Sequence, residues 1–123
     1  MKYIDCAKYA QEILDEVKQV KHTKYFAIVS VGDNPASQSY IKGKIKDCEY
    51  CGIPYIHIHI DVKDDTEAKC KLEEKLYSLR MDDKISAIIL QLPLPQGWNE
   101  QYYLSCFLIL LNLSKNYEHS YMY

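Results

Sequence analysis

Apolar and polar positions follow two alternating periods along the chain. Over residues 7–20, Ala10, Ile13, Leu14 and Val17 recur at helical spacing, while Glu12, Asp15, Glu16 and Lys18 take the other face. Residues 24–31 are a β-branched and aromatic run that stops at Gly32, the pattern of a buried strand. Asn34-Pro35 then reads as a helix start, with Asn34 as the cap and Pro35 in the first turn, where its missing N–H costs nothing. That helix is expected to reach about Cys51 and to end on Gly52. Residues 53–62 predict a second strand, with Ile56, Ile58 and Ile60 on one face and Tyr55, His57 and His59 on the other.

Asp64-Asp65-Thr66 opens a third helix with Leu72, Leu76 and Leu79 on its buried stripe. Residues 85–92 predict a third strand, closed by Pro93-Leu94-Pro95 because proline cannot continue a central ladder. Strictly alternating helices and near-continuous apolar strands imply an α/β fold, a three-layer domain with a small parallel sheet flanked by helices. Residues 102–113 are apolar on every side and predict a fourth helix; the last ten residues carry no clear pattern.

Composition narrows the class. At 123 residues the chain has the length of one domain with one modest core. The net charge of −2 gives no basic excess, so no nucleic-acid partner is expected. No apolar run reaches the roughly 18 residues that span a bilayer, so no membrane partner is expected either. The opening Met1-Lys2-Tyr3-Ile4-Asp5 lacks the apolar core of a secretory signal. Five cysteines, an odd number without an export signal, read as reduced thiols in a cytoplasmic protein. Twelve tyrosines and a single arginine, Arg80, read as codon bias.

Three constellations bear on chemistry. Ser37, Tyr40 and Lys44 share one face of the second helix, at the edge of the core stripe Ile41, Ile45 and Cys48. A lysine there is partly desolvated, which lowers its pKa toward the range of a useful base; a solvated lysine beside a packed tyrosine is the plainer alternative. Gln91 and the loop Leu92-Pro93-Leu94-Pro95 lie at the carboxyl end of a strand, where parallel sheets bind ligands, although a glutamine there can simply cap the strand. Gly32-Asp33-Asn34 lies on the same edge. Cys48-Glu49-Tyr50-Cys51 is a lone C-x-x-C at a helix C-terminal end, where the dipole does not favour a thiolate. It lacks the second pair that zinc needs, and His57 with His59 lacks a third ligand, so no metal site is expected. No P-loop, G-x-S-x-G, H-E-x-x-H or G-x-G-x-x-G occurs, so no nucleotide-binding site is expected in this chain.

Val31-Gly32-Asp33-Asn34-Pro35-Ala36-Ser37-Gln38-Ser39-Tyr40 and Ile41-Lys42-Gly43-Lys44-Ile45-Lys46-Asp47-Cys48, with Gly52-Ile53 and Gln91-Leu92-Pro93-Leu94-Pro95, closely resemble a known signature. It is that of the bifunctional methylenetetrahydrofolate dehydrogenase/methenyltetrahydrofolate cyclohydrolase family, the FolD type. Ile4-Asp5 and Ala10-Gln11-Glu12-Ile13 resemble its opening helix, and the likeness covers about residues 3–101. The resemblance implies an enzyme that oxidises 5,10-methylenetetrahydrofolate and hydrolyses the methenyl product to 10-formyltetrahydrofolate. It implies Lys44 as the catalytic lysine, Gln91 as the amide that tunes it and Tyr40 as the residue that stacks on the folate. Ser37, Leu92 and Pro93 then line the substrate site.

The family's second part is a dinucleotide-binding domain using NADP or NAD. Without it, no bound cofactor and no dehydrogenase step are expected of this chain alone. The expected organisation is a catalytic domain over residues 1–101 and a divergent or truncated tail over 102–123. In that tail Glu118 falls where the family's Lys-Asp-Val-Asp-Gly segment has its second aspartate, and at the start Cys6-Ala7 replaces a Gly-Lys pair. Complete relatives are homodimers by the same resemblance, and the apolar tail predicts self-association. The alternatives are a non-catalytic remnant that only binds folate weakly or self-associates, and, more distantly, a thiol redox module on Cys48 and Cys51.

Overall fold

The computed structural model describes residues 6–105 and the backbone of 120–122. The elements are α1 (Cys6–Lys18), β1 (Tyr25–Val31), α2 (Pro35–Cys51), β2 (Tyr55–Ile60), α3 (Asp65–Met81), β3 (Ile85–Leu90) and β4 (Ser120–Met122). A further helix, α4, covers residues 100–105 of the described chain. The strands form one sheet in the order β2-β1-β3-β4, and every pair is parallel. Apart from the short strand at 120–122, the expected α/β order is the observed one. Three residues are too few to show a period, which is why the pattern carries no sign of β4.

The element ends follow local chemistry. Asn34 Oδ1 accepts from the amides of Ala36 and Ser37, at 2.9 and 3.1 Å, and Pro35 occupies the first turn. Gly52 closes α2 in the left-handed region, at φ 70°, where a Cβ is disfavoured. Asp64 caps α3 by accepting from the Glu67 amide at 2.8 Å.

The two faces of the sheet are covered differently. On one face Ala68, Leu72, Leu76 and Leu79 of α3 pack on Ala27, Val29, Val31, Ile88 and Leu90, with Leu94, Trp98 and Tyr103 closing the same cluster. The Trp98 indole donates to Asp65 Oδ1 at 2.6 Å, which ties the loop after β3 to the first turn of α3. That bond, then Lys69, holds the Asp65 carboxyl below its ordinary pKa. On the other face Ile28 and Ile89 are buried together with Ile41, Cys48 and Cys51 of α2.

The α1 helix is present as its spacing predicts, with its apolar stripe only partly covered among the described residues. None of its residues is buried, Leu14 and Val17 are half-buried, and Ile13 is 44% exposed. It rests on α2 rather than on the sheet. Tyr50 donates to Asp15, Gln11 donates to both Asp15 and Tyr50, and the Cys51 thiol donates to the Leu14 carbonyl. The helix expected over 102–113 begins at residue 100 and is described through 105; its apolar remainder and Glu118 lie outside the described residues.

Leu72 has no exposure at the centre of the α3 face. Leu72→Ala removes buried area and leaves a cavity, so it should cost about 2–5 kcal/mol in urea unfolding. Ile13→Ala, on the exposed side of α1, should cost much less in the same experiment.

Candidate functional site

The strand order reverses direction beside β1. The chain leaves β1 through α2 to reach β2 on one side, then crosses through α3 to reach β3 on the other. The two helices therefore cover opposite faces, and a crevice opens at the carboxyl ends of β1 and β3. Gly32 to Asn34 follow β1 at that edge and Gln91 to Pro95 follow β3, which places the two expected loops together. A cavity of about 290 Å³ lies between them, lined by Gly32, Asp33, Asn34, Pro93, Leu94 and Pro95 among others. The Leu92–Pro93 peptide is cis.

Lys44 and Gln91 are brought into contact across this edge. The Lys44 ammonium on α2 donates to Gln91 Oε1. Gln91 is buried, its backbone N–H donates to the Val29 carbonyl at 2.8 Å, and its Nε2 donates to the Leu92 carbonyl at 2.8 Å. A carbonyl only accepts, so this bond commits the amide nitrogen and leaves the amide oxygen facing the lysine. The buried Ser37 hydroxyl donates to the same Leu92 carbonyl at 3.3 Å, joining the first turn of α2 to the loop after β3.

Lys44 is half-buried, and burial holds its pKa below the ordinary lysine value. Tyr40, one turn earlier on α2, is 60% exposed and presents its ring to solvent rather than packing it. Pro93 is exposed and Leu92 half-buried beside it. All six residues expected at the site are thus on one edge of the sheet. Ser37, Lys44, Gln91 and Leu92 form one hydrogen-bonded chain, whereas Tyr40 and Pro93 stand open at its rim.

The remaining motifs fall elsewhere. Cys48 and Cys51 are buried at the end of α2, and burial raises the pKa of both thiols. Raised pKa values disfavour thiolates, so these cysteines serve packing and the anchoring of α1. His57 and His59 both reach the buried Ser30 hydroxyl, at 2.9 Å each. Burial, then His59, lowers the His57 pKa, which keeps that ring neutral at physiological pH. Ser30 carries no signal in the sequence, because its place inside an apolar strand reads as a packing position.

Comparison with known proteins gives a consistent result. Residues 4–108 match the family of the tetrahydrofolate dehydrogenase/cyclohydrolase catalytic domain. The bifunctional protein FolD of Rickettsia typhi is 38% identical over 113 residues, covering 85% of this chain and 39% of that protein. The crystal structure of the FolD methylenetetrahydrofolate dehydrogenase/cyclohydrolase of Campylobacter jejuni aligns with a TM-score of 0.72 at 31% identity. That alignment covers 80% of this chain and 36% of the other. A Trypanosoma brucei methylenetetrahydrofolate dehydrogenase-cyclohydrolase, crystallised with NADP and an inhibitor, shares the fold at a TM-score of 0.71 and 23% identity. It aligns over 85% of this chain and 37% of its own. The chain therefore spans about two-fifths of the length of the relatives it matches.

The lowered pKa of Lys44 has a measurable consequence. Its rate of acylation by an amine reagent, followed at its own peptide in mass spectrometry, should rise at lower pH in the folded chain than in the urea-unfolded chain. The unfolded chain binds the extra proton between the folded and unfolded pKa values of Lys44. Its contribution to stability therefore improves as pH rises through that window. Gln91→Leu removes the acceptor that favours the charged amine and should move the acylation midpoint lower still.

Proposed function

The chain belongs to the tetrahydrofolate dehydrogenase/cyclohydrolase family, in its catalytic domain, and from that premise we propose that it is the folate-binding catalytic domain of a one-carbon enzyme. The relatives are bifunctional: one activity oxidises 5,10-methylenetetrahydrofolate, the other hydrolyses the methenyl product to 10-formyltetrahydrofolate. The observation that carries the reading is the hydrogen bond from Lys44 to Gln91, made by a half-buried lysine whose pKa is lowered.

Hydrolysis of the methenyl cation adds water across one C–N bond and releases one proton overall. A C–O bond forms, the bond from the former methenyl carbon to one folate nitrogen breaks, and the water gives up both protons, one to that nitrogen and one to solvent. That nitrogen ends protonated, and a group at the site must take and return protons. Lys44 is suited to this exchange, because burial moves its pKa down from the ordinary value, toward working pH. Gln91 holds the amine in place through Oε1, which the Leu92 carbonyl keeps turned toward it. Tyr40 supplies an open aromatic face one turn away for the flat ring system of the folate, and Ser37, Leu92 and Pro93 complete the wall.

In complete relatives the oxidation draws on NADP or NAD. The described glycines are Gly32, Gly43, Gly52 and Gly97, and no two fall within a phosphate-cradling turn. The described residues therefore do not fit a dinucleotide, and the reading for them is confined to folate and proton transfer. No described helix is long and apolar enough to cross a membrane. A reducing cytoplasm suits the free thiols of Cys6, Cys48, Cys51 and Cys70. Self-association, as a homodimer in the complete enzyme, is the matching assembly; exposed Tyr9, Ile13 and Val20 at the N-terminal end support it.

The test is hydrolysis of methenyltetrahydrofolate at pH 7 by the chain and its variants. Lys44→Met keeps the apolar stem and should abolish the enzymatic rate. Lys44→Arg should fail as well, because a guanidinium stays charged and cannot serve as a base. Gln91→Ala should cost about 10-fold or somewhat more, within the range of a group that positions another. Equal rates from the parent and Lys44→Met, with folate still bound, would replace this reading by that of a non-catalytic remnant.

A further inference from the structure

The carboxyl edge of the sheet carries a second cluster, on the β2 side of β1. Asp33 follows β1, Asp61 follows β2, and His59 is the penultimate residue of β2. Parallel pairing of the two strands brings them together: Ser30 is opposite His59 and Val31 opposite Ile60. His59 Nε2 lies 3.2 Å from Asp61 Oδ1 and 3.8 Å from Asp33 Oδ1, and one ligand atom from each of the three residues falls within 4.8 Å of the others.

We propose that His59, Asp33 and Asp61 bind a divalent transition-metal ion, of the zinc or cobalt class, at the carboxyl ends of β1 and β2. Two donors around an ion at about 2.1 Å are separated by about 3.0–3.5 Å; His59 and Asp61 already stand at that spacing, and rotation of the two exposed carboxylates brings in the rest of the set. One imidazole and two carboxylates suit a borderline ion better than calcium or magnesium, which prefer oxygen alone. The two carboxylates match the charge of a divalent cation.

Three further observations support the site. The ring of His59 is held from behind: its Nδ1 bonds the Ser30 hydroxyl at 2.9 Å, and Ser30 is only 4% exposed. A buried partner on one ring nitrogen fixes the ring so that the other faces the ion, as in many metal-bound histidines. The imidazole is still 34% exposed, which leaves Nε2 within reach of an incoming ion. His59 and Asp61 also line a cavity of about 260 Å³ with Lys63, Lys71 and Lys75. It has room for waters or a small anion to complete the coordination. The site shares no residue with the Lys44–Gln91 chain, although Asp33 also lines the cavity beside Pro93, and metal binding is read without any folate present.

Cobalt(II) is the probe, titrated into the full chain after chelator treatment and followed by visible absorption and calorimetry at pH 7.5. One equivalent should bind with weak d–d bands and no thiolate-to-cobalt charge transfer. His59→Gln and Asp33→Asn should each weaken binding by at least about 10-fold, and Ser30→Ala by about 10-fold through loss of ring positioning. Circular dichroism of the variants should match the parent, since all three ligands are at the surface. Affinity unchanged in His59→Gln, a charge-transfer band that reports cysteine ligation, or no binding below millimolar cobalt would each overturn the site.

Discussion

The position of β1 at the middle of the sheet constrains everything else. It pairs in parallel with β2 on one side and β3 on the other, so both of its ladders are used within the chain. Parallel strands need crossovers, and right-handed crossovers to opposite sides send α2 and α3 to opposite faces. The loops that end β1, β2 and β3 then have to meet along one edge. Both candidate sites sit there, and neither needs an element built for it alone. The apolar residues Ala27, Ile28 and Val29, none with measurable exposure, supply the burial that holds this arrangement.

Much of the fold was legible in the chain because its signals are local. Asn34, Pro35 and Gly52 bracket α2 by capping chemistry that acts within a few residues. The leucine stripe of α3 reports its own buried face. The stripe of α1 marks an amphipathic helix, as found, but periodicity reports which side is apolar and not what covers it; among the described residues the end of α2 does. The parallel strand at 120–122 has no local signature at all, since its pairing depends on the edge that β3 offers.

The site divided in the same way. Ser37, Tyr40 and Lys44 are neighbours on one helix, so their common face follows from spacing. The bond from Lys44 to Gln91 spans 47 residues and depends on sheet order and helix placement. A family signature supplied that pairing where spacing had not. Of the proposed metal ligands, His59 reads in the sequence only as one of a pair with His57 that lacks a third ligand. Asp61 was only two positions away, but Asp33 reaches the cluster from another strand, and only strand register makes them partners.

The docking of α1 has a consequence for how the molecule breathes. A helix with no buried residue, attached through Asp15, Tyr50 and the Leu14 carbonyl, gains little from the core that stabilises the sheet. Its free energy of local opening is therefore well below that of global unfolding. Amide protons of α1 should exchange with solvent through that local route, while those of β1 wait for the whole sheet to open. The chain thus has a graded stability, with the edge that carries the candidate site on its most protected layer and its first helix on the least protected one.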